Sequence, residues 1–157
     1  MSATSHLSFS VEVFREKSET TLYEIVPKID NILLTELVVS YEAEQGFEPV
    51  GGYGGLIPAW FKYGPLDGYF KSQFEREDYF IKLKGIYLLG CDCGEVRCWP
   101  LIGQVRANDK HFVWGNFRQP FRSKRDYSKF GPFIFDMEQY QEAVNSMMKR
   151  YTALQHF

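Results

Sequence analysis

Phe135-Asp136-Met137-Glu138-Gln139-Tyr140-Gln141-Glu142-Ala143-Val144-Asn145-Ser146-Met147-Met148-Lys149-Arg150-Tyr151-Thr152-Ala153-Leu154 is the stretch that decides the fold class. Met137, Tyr140, Ala143, Val144, Met147, Met148, Tyr151 and Leu154 recur at steps of three and four, which makes one apolar stripe along a helix. Asp136 stands as an N-cap, and Gln139 three residues on completes a capping box. Phe135 and Tyr140 have the spacing of a hydrophobic staple. Lys149 and Arg150 fall in the last turns, where positive charge suits the helix dipole. The pattern predicts a helix over 137–154 with one face that another layer must cover.

Upstream, the period changes from helical to alternating. Leu7, Phe9, Val11 and Val13 share one face of a half-buried strand over 7–14. Leu22 to Val26 reads as a short strand closed by Pro27. Residues 32–42 read as a strand with Leu33, Leu37, Val39 and Tyr41 on one face. Strands follow at 84–90, 100–107 and 111–118, with a tight turn at Asn108-Asp109. The expected architecture is α+β: an antiparallel sheet of about five strands (7–14, 32–42, 84–90, 100–107, 111–118) with the C-terminal amphipathic helix packed on one face. Residues 1–157 are expected to form a single globular domain.

Composition narrows the function classes. Of 157 residues, 45% are hydrophobic and 17% aromatic, which excludes a disordered chain. No apolar run approaches the ~20 residues that cross a bilayer. The first residues carry no basic segment followed by an apolar core, so a cytoplasmic location with no membrane role is expected. Charge is uneven. Residues 1–80 hold 13 acids and 6 bases, and residues 81–157 hold 7 acids and 12 bases. The net charge of −2 and pI near 5.9 argue against nucleic acid as a partner, although Arg118 to Lys129 interleaves bases with Phe117, Phe121, Tyr127 and Phe130.

Between Gly46 and Lys71 regular patterning stops. Gly51-Gly52-Tyr53-Gly54-Gly55 lacks the Lys-Ser/Thr pair of a phosphate loop and reads as turn chemistry. Trp60, Phe61, Tyr63, Tyr69 and Phe70 are expected to anchor this long loop to the core.

All three cysteines lie in Gly90-Cys91-Asp92-Cys93-Gly94-Glu95-Val96-Arg97-Cys98-Trp99-Pro100. Gly94 can bend the segment so that three thiols converge. Zinc wants four ligands. Cys91, Cys93 and Cys98 supply three, and a fourth must come from His111, Glu95, Asp92 or elsewhere. A Cys-x-Cys pair can also form a strained disulfide, but no thioredoxin-like strand–helix pattern follows it. The third possibility is plain core packing of small, weakly polar side chains. The loop and the cysteine turn are expected to meet near one edge of the sheet. No catalytic residue can be named, because no nucleophile lies beside the Asp92 and Glu95 carboxylates.

Several segments taken together resemble a family of bacterial proteins with no established activity. They are Tyr53-Gly54-Gly55-Leu56-Ile57-Pro58, Tyr63-Gly64-Pro65-Leu66, Leu88 to Leu101, Trp114-x-x-Phe117-x-Gln119-Pro120, and Asp126-Tyr127-x-x-Phe130-Gly131-Pro132-Phe133-x-Phe135-Asp136. The resemblance implies histidine in relatives at the positions of Tyr69 and Phe121, and hence two metal or acid–base candidates missing here.

Two functions are expected on these grounds. The first is a non-enzymatic protein-binding module with no cofactor, such as an immunity-type inhibitor of a cognate bacterial toxin. Glu42, Glu44, Glu48, Tyr53 and Trp60 would then meet the partner. The alternative is a thiol- or zinc-centred protein built on Cys91, Cys93 and Cys98, with His111 as a further ligand.

Overall fold

Leu7–Glu16 (β1) and Thr21–Ile29 (β2) form an antiparallel pair running from Leu7↔Ile29 to Glu16↔Thr21, with a bulge between Val13 and Arg15. The computed structural model describes residues 3–16, 20–60, 65–71 and 85–155. Asp30 and Asn31 then turn the chain with φ of 53° and 67°, the left-handed pair that matches hairpin twist. This sends Ile32–Leu33 (β3) back onto Lys28 and Ile29, giving a three-stranded sheet of order β1-β2-β3. Pro27 sits inside β2 rather than closing it. Ile25 turns its N–H and C=O away from β1 to Leu56, so Pro27, two residues on, faces the same side. β3 stops short of that position, and no ladder bond is lost there.

The expected strand over 32–42 is instead mostly helix. Leu34–Gln45 (α1) follows β3 directly and ends at Gly46, whose φ of 73° closes the helix. Gly46 N–H donates to the Ala43 carbonyl and Phe47 N–H to that of Glu42. The buried residues are Leu34, Val38 and Glu42, four apart. Packing of that stripe overrides the β-branched pair Val38-Val39, which suggested a strand.

The second sheet has five antiparallel strands in the order β4 (Tyr53–Gly54), β5 (Gly85–Cys91), β6 (Leu101–Ala107), β7 (His111–Arg118) and β8 (Phe133–Asp136). The expected strands at 84–90, 100–107 and 111–118 correspond to its centre, with residue 84 outside the described residues. The strand at 7–14 belongs to the other sheet, and its place is taken by two short strands that patterning did not reveal. Between β4 and β5 lies a one-turn helix, Leu66–Phe70 (α2), in which Tyr69 and Phe70 are buried as anchors. Trp60 is 45% exposed, and Phe61 and Tyr63 lie outside the described residues.

Met137–Gln155 (α3) buries Tyr140, Ala143, Val144, Met147 and Tyr151. Asp136 accepts the Gln139 N–H at 3.1 Å, one half of the expected capping box. The other half is absent because the Gln139 side chain holds both backbone groups of Leu7, at 2.9 and 2.6 Å, fastening α3 to β1. Phe135 and Tyr140 do form the staple, with ring centroids 5.6 Å apart. Trp114 donates to the Tyr140 hydroxyl at 2.9 Å, and that hydroxyl donates to the Phe70 carbonyl. These rings form the core between α3 and the larger sheet. The described residues include no helix long and apolar enough to cross a membrane.

Candidate thiol and metal centre

β5 runs into the cysteine segment at the sheet edge. Gly94, with φ of 98°, donates its N–H to the Cys91 carbonyl, and Cys98 N–H donates to that of Glu95. Two consecutive turns therefore fold Cys93 and Cys98 back over Cys91. A side chain at Gly94 would strike the Trp60 indole, and Ile57 and Phe14 crowd the same point. Glycine is thus required by both its backbone angle and its surroundings.

All three cysteines are free thiols, and their sulfurs lie within 4.8 Å of one another. Cys91 is buried, whereas Cys93 and Cys98 are exposed. Burial pushes the Cys91 thiol up to about 12, and bonds to its two sister sulfurs reinforce this. The Glu95 backbone N–H, then the Cys91 thiol, hold Cys93 below the ordinary thiol value. Of Cys91 and Cys93, Cys93 is therefore the readier to lose its proton, and the Cys91 thiol also donates to Asp92 Oδ1 at 3.6 Å.

The expected meeting of loop and turn is observed. Tyr53 pairs with Cys91 and Gly54 with Gly90, and Asp92 N–H donates to the Gly52 carbonyl at 2.9 Å. Rings flank the turn. Trp60 contacts Phe14 edge-on at 5.8 Å, beneath the Arg15 guanidinium. On the far side Trp99 donates to the Gly51 carbonyl and stacks on Phe121, which is 42% exposed.

His111 does not join the sulfurs. It opens β7 at the far end of the β6–β7 hairpin, and six residues of strand put ~20 Å between that end and the cysteine turn. No fourth histidine, cysteine or carboxylate completes the cluster among the described residues.

Glu42 is 0% exposed, so it cannot be the surface contact that its acidic neighbourhood suggested. Its carboxylate accepts from Gly51 N–H at 2.8 Å, Tyr53 at 2.8 Å, Tyr127 at 2.6 Å and Arg125 at 3.0 Å. Arg125 also donates to the Pro49 carbonyl at 2.5 Å and lies over the Phe47 ring. Tyr53 is buried in the same network, with Gln119 donating to its hydroxyl. Burial first, and then the bond to Glu42, push the Tyr127 phenol up to about 12. Burial likewise drives Tyr53 well above its usual range. Glu44, Glu48 and Trp60 remain exposed. Phe117, Tyr127 and Phe130 are buried, so three of the four rings interleaved with the bases of 118–129 serve the core.

Comparison of the chain with models of known families, with curated proteins and with solved structures gives no match.

Proposed function

We propose that this protein holds one thiophilic metal ion, of the zinc and copper(I) class, on Cys91, Cys93 and Cys98. The observation that carries the reading is the convergence of three free sulfurs within 4.8 Å on an exposed turn. Metal–sulfur bonds of ~2.3 Å set tetrahedral sulfurs ~3.8 Å apart. Closing from the present spacing takes shifts of roughly 1 Å or less, within reach of the side-chain torsions of Cys93 and Cys98. Loading would release thiol protons, since thiolates are the ligands. With three protein sulfurs, one position is left for water, a substrate or a donor from another molecule, the pattern of reactive rather than closed structural sites.

Elemental analysis and a thiol count on freshly purified protein test this. One ion per chain with the thiols shielded from reagent is the expected result. Three freely reacting thiols in metal-free protein, unchanged after zinc is added, would remove the reading.

A protein-binding role is the second reading, favoured by the exposed Trp60 and Phe121 beside the turn. An immunity-type version of it rests on Glu44 and Glu48, without Glu42. Its partner would be a basic protein whose stoichiometric binding weakens when both glutamates become lysine. Binding indifferent to that reversal would discard the version.

A further inference from the structure

The larger sheet has a concave feature on the face turned away from α3. Val105 and its partner Trp114 point into the core. The next pairs along the ladder, Gln104↔Gly115 and Arg106↔Val113, face the other way because strand side chains alternate. Arg118, opposite Ile102, lines the same surface beyond a bulge at which Asn116 takes a φ of 50°. The loop 125–132 rises alongside and leaves an open groove of about 590 Å³. That lies within the ~300–1,000 Å³ of small-molecule sites. Gly115 keeps the floor low. A Cβ there would meet only Pro132, at 3.7 Å.

The groove is polar and positively biased. Among the described residues neither Arg106 nor Arg118 has an ion-pair partner, and Arg118 is half-buried with no side-chain hydrogen bond. The Arg118 guanidinium, which has no protein acceptor among the described residues, offers paired donors that a bound anion would accept. Gln104 Oε1 accepts from Arg106 at 2.9 Å and from Asn116 at 2.6 Å, which holds both donors at the groove. The opposing charge is Asp126, exposed on the rim with its Oδ1 accepting the Ser128 N–H. Arg125 also lines the groove, but Glu42 holds its charge.

We propose that this groove binds a small organic oxyanion, a carboxylate or a phosphate ester, with Arg106 and Arg118 as the cations that line it. The planar fork of arginine fits either head group with two parallel bonds. The site shares no residue with the cysteine turn, so it stands or falls independently of the metal.

The test is a backbone amide NMR titration at low salt with two probes, inorganic phosphate and citrate. Saturable shifts centred on Gly115 and Asn116 are expected, and the tighter probe identifies the head group. Arg118→Gln should weaken binding by about tenfold. Gly115→Val should raise the groove floor and weaken binding, while the rest of the spectrum stays unchanged. Absence of saturable shifts with both probes, or shifts that persist equally in both variants, would overturn the proposal.

Discussion

Glu42 and Cys93 each sit where several polar groups converge on one atom, and they end in opposite states. The Glu42 carboxylate takes four donors from two separate segments, three of them on one oxygen, and is shut away from solvent. The thiols have mainly one another. Sulfur is a weak donor and a weak acceptor, and two of the three sulfurs face solvent. A saturated cluster is a fastening: it ties the end of α1 to the 49–53 loop and to the 119–127 segment. A cluster with unused capacity and open access is a site.

The sharpest way to break this contrast is Glu42→Ala. Arg125, whose side chain is 6% exposed, would keep a charge after losing its one ion-pair partner among the described residues. A loss of about 3–5 kcal/mol in denaturant unfolding is expected. A loss below ~1 kcal/mol would mean that the network is incidental. Tyr127→Phe removes one donor to the same carboxylate and should cost about 1–3 kcal/mol.

Alkaline pH probes the same network more gently. The Tyr127 phenol rises from 10.0 to about 12 on folding. A value raised in the folded state means stability that is intact below pH 10 and lost as pH climbs through the folded value. Unfolding free energy should therefore be flat approaching pH 10 and fall toward pH 12. Tyr127→Phe should flatten that fall, and an unchanged slope would assign it to other tyrosines.

The smallest stability effects belong to the turn. Cys93→Ser and Cys98→Ser replace exposed thiols and should change the stability of metal-free protein by no more than ~0.5 kcal/mol. Each should nonetheless abolish metal-dependent stabilisation, which wild-type protein shows as a rise in melting temperature when zinc is added. A large loss of metal-free stability would make the turn scaffolding rather than a site.

How much of this could be read in the sequence depends on range. The helix over 137–155 was legible because its stripe and cap are local. The hairpins of β5, β6 and β7 were legible because alternation and the Asn108-Asp109 turn are local too. Residues 32–42 misled because the strand-like pair Val38-Val39 hides the four-residue spacing of Leu34, Val38 and Glu42. Asp30-Asn31 and Gly46 carried the missing signals, a left-handed turn before the helix and a left-handed stop after it. The cysteine cluster was visible as spacing alone. Its convergence depends on two turns and on pairing with Tyr53 and Gly54, which are nearly forty residues away. Glu42 could not be recognised as buried, because its partners Tyr127 and Arg125 lie more than eighty residues downstream. The groove is equally non-local, since it needs a loop folded beside two strands.

Cobalt(II) titration of the reduced protein, followed by thiolate-to-metal charge-transfer absorption, tests the metal reading most directly. The absorption should saturate at one ion per chain and vanish in Cys93→Ser and Cys98→Ser. No charge-transfer band, or a band that both serine variants retain, would contradict the assignment of these sulfurs as the site.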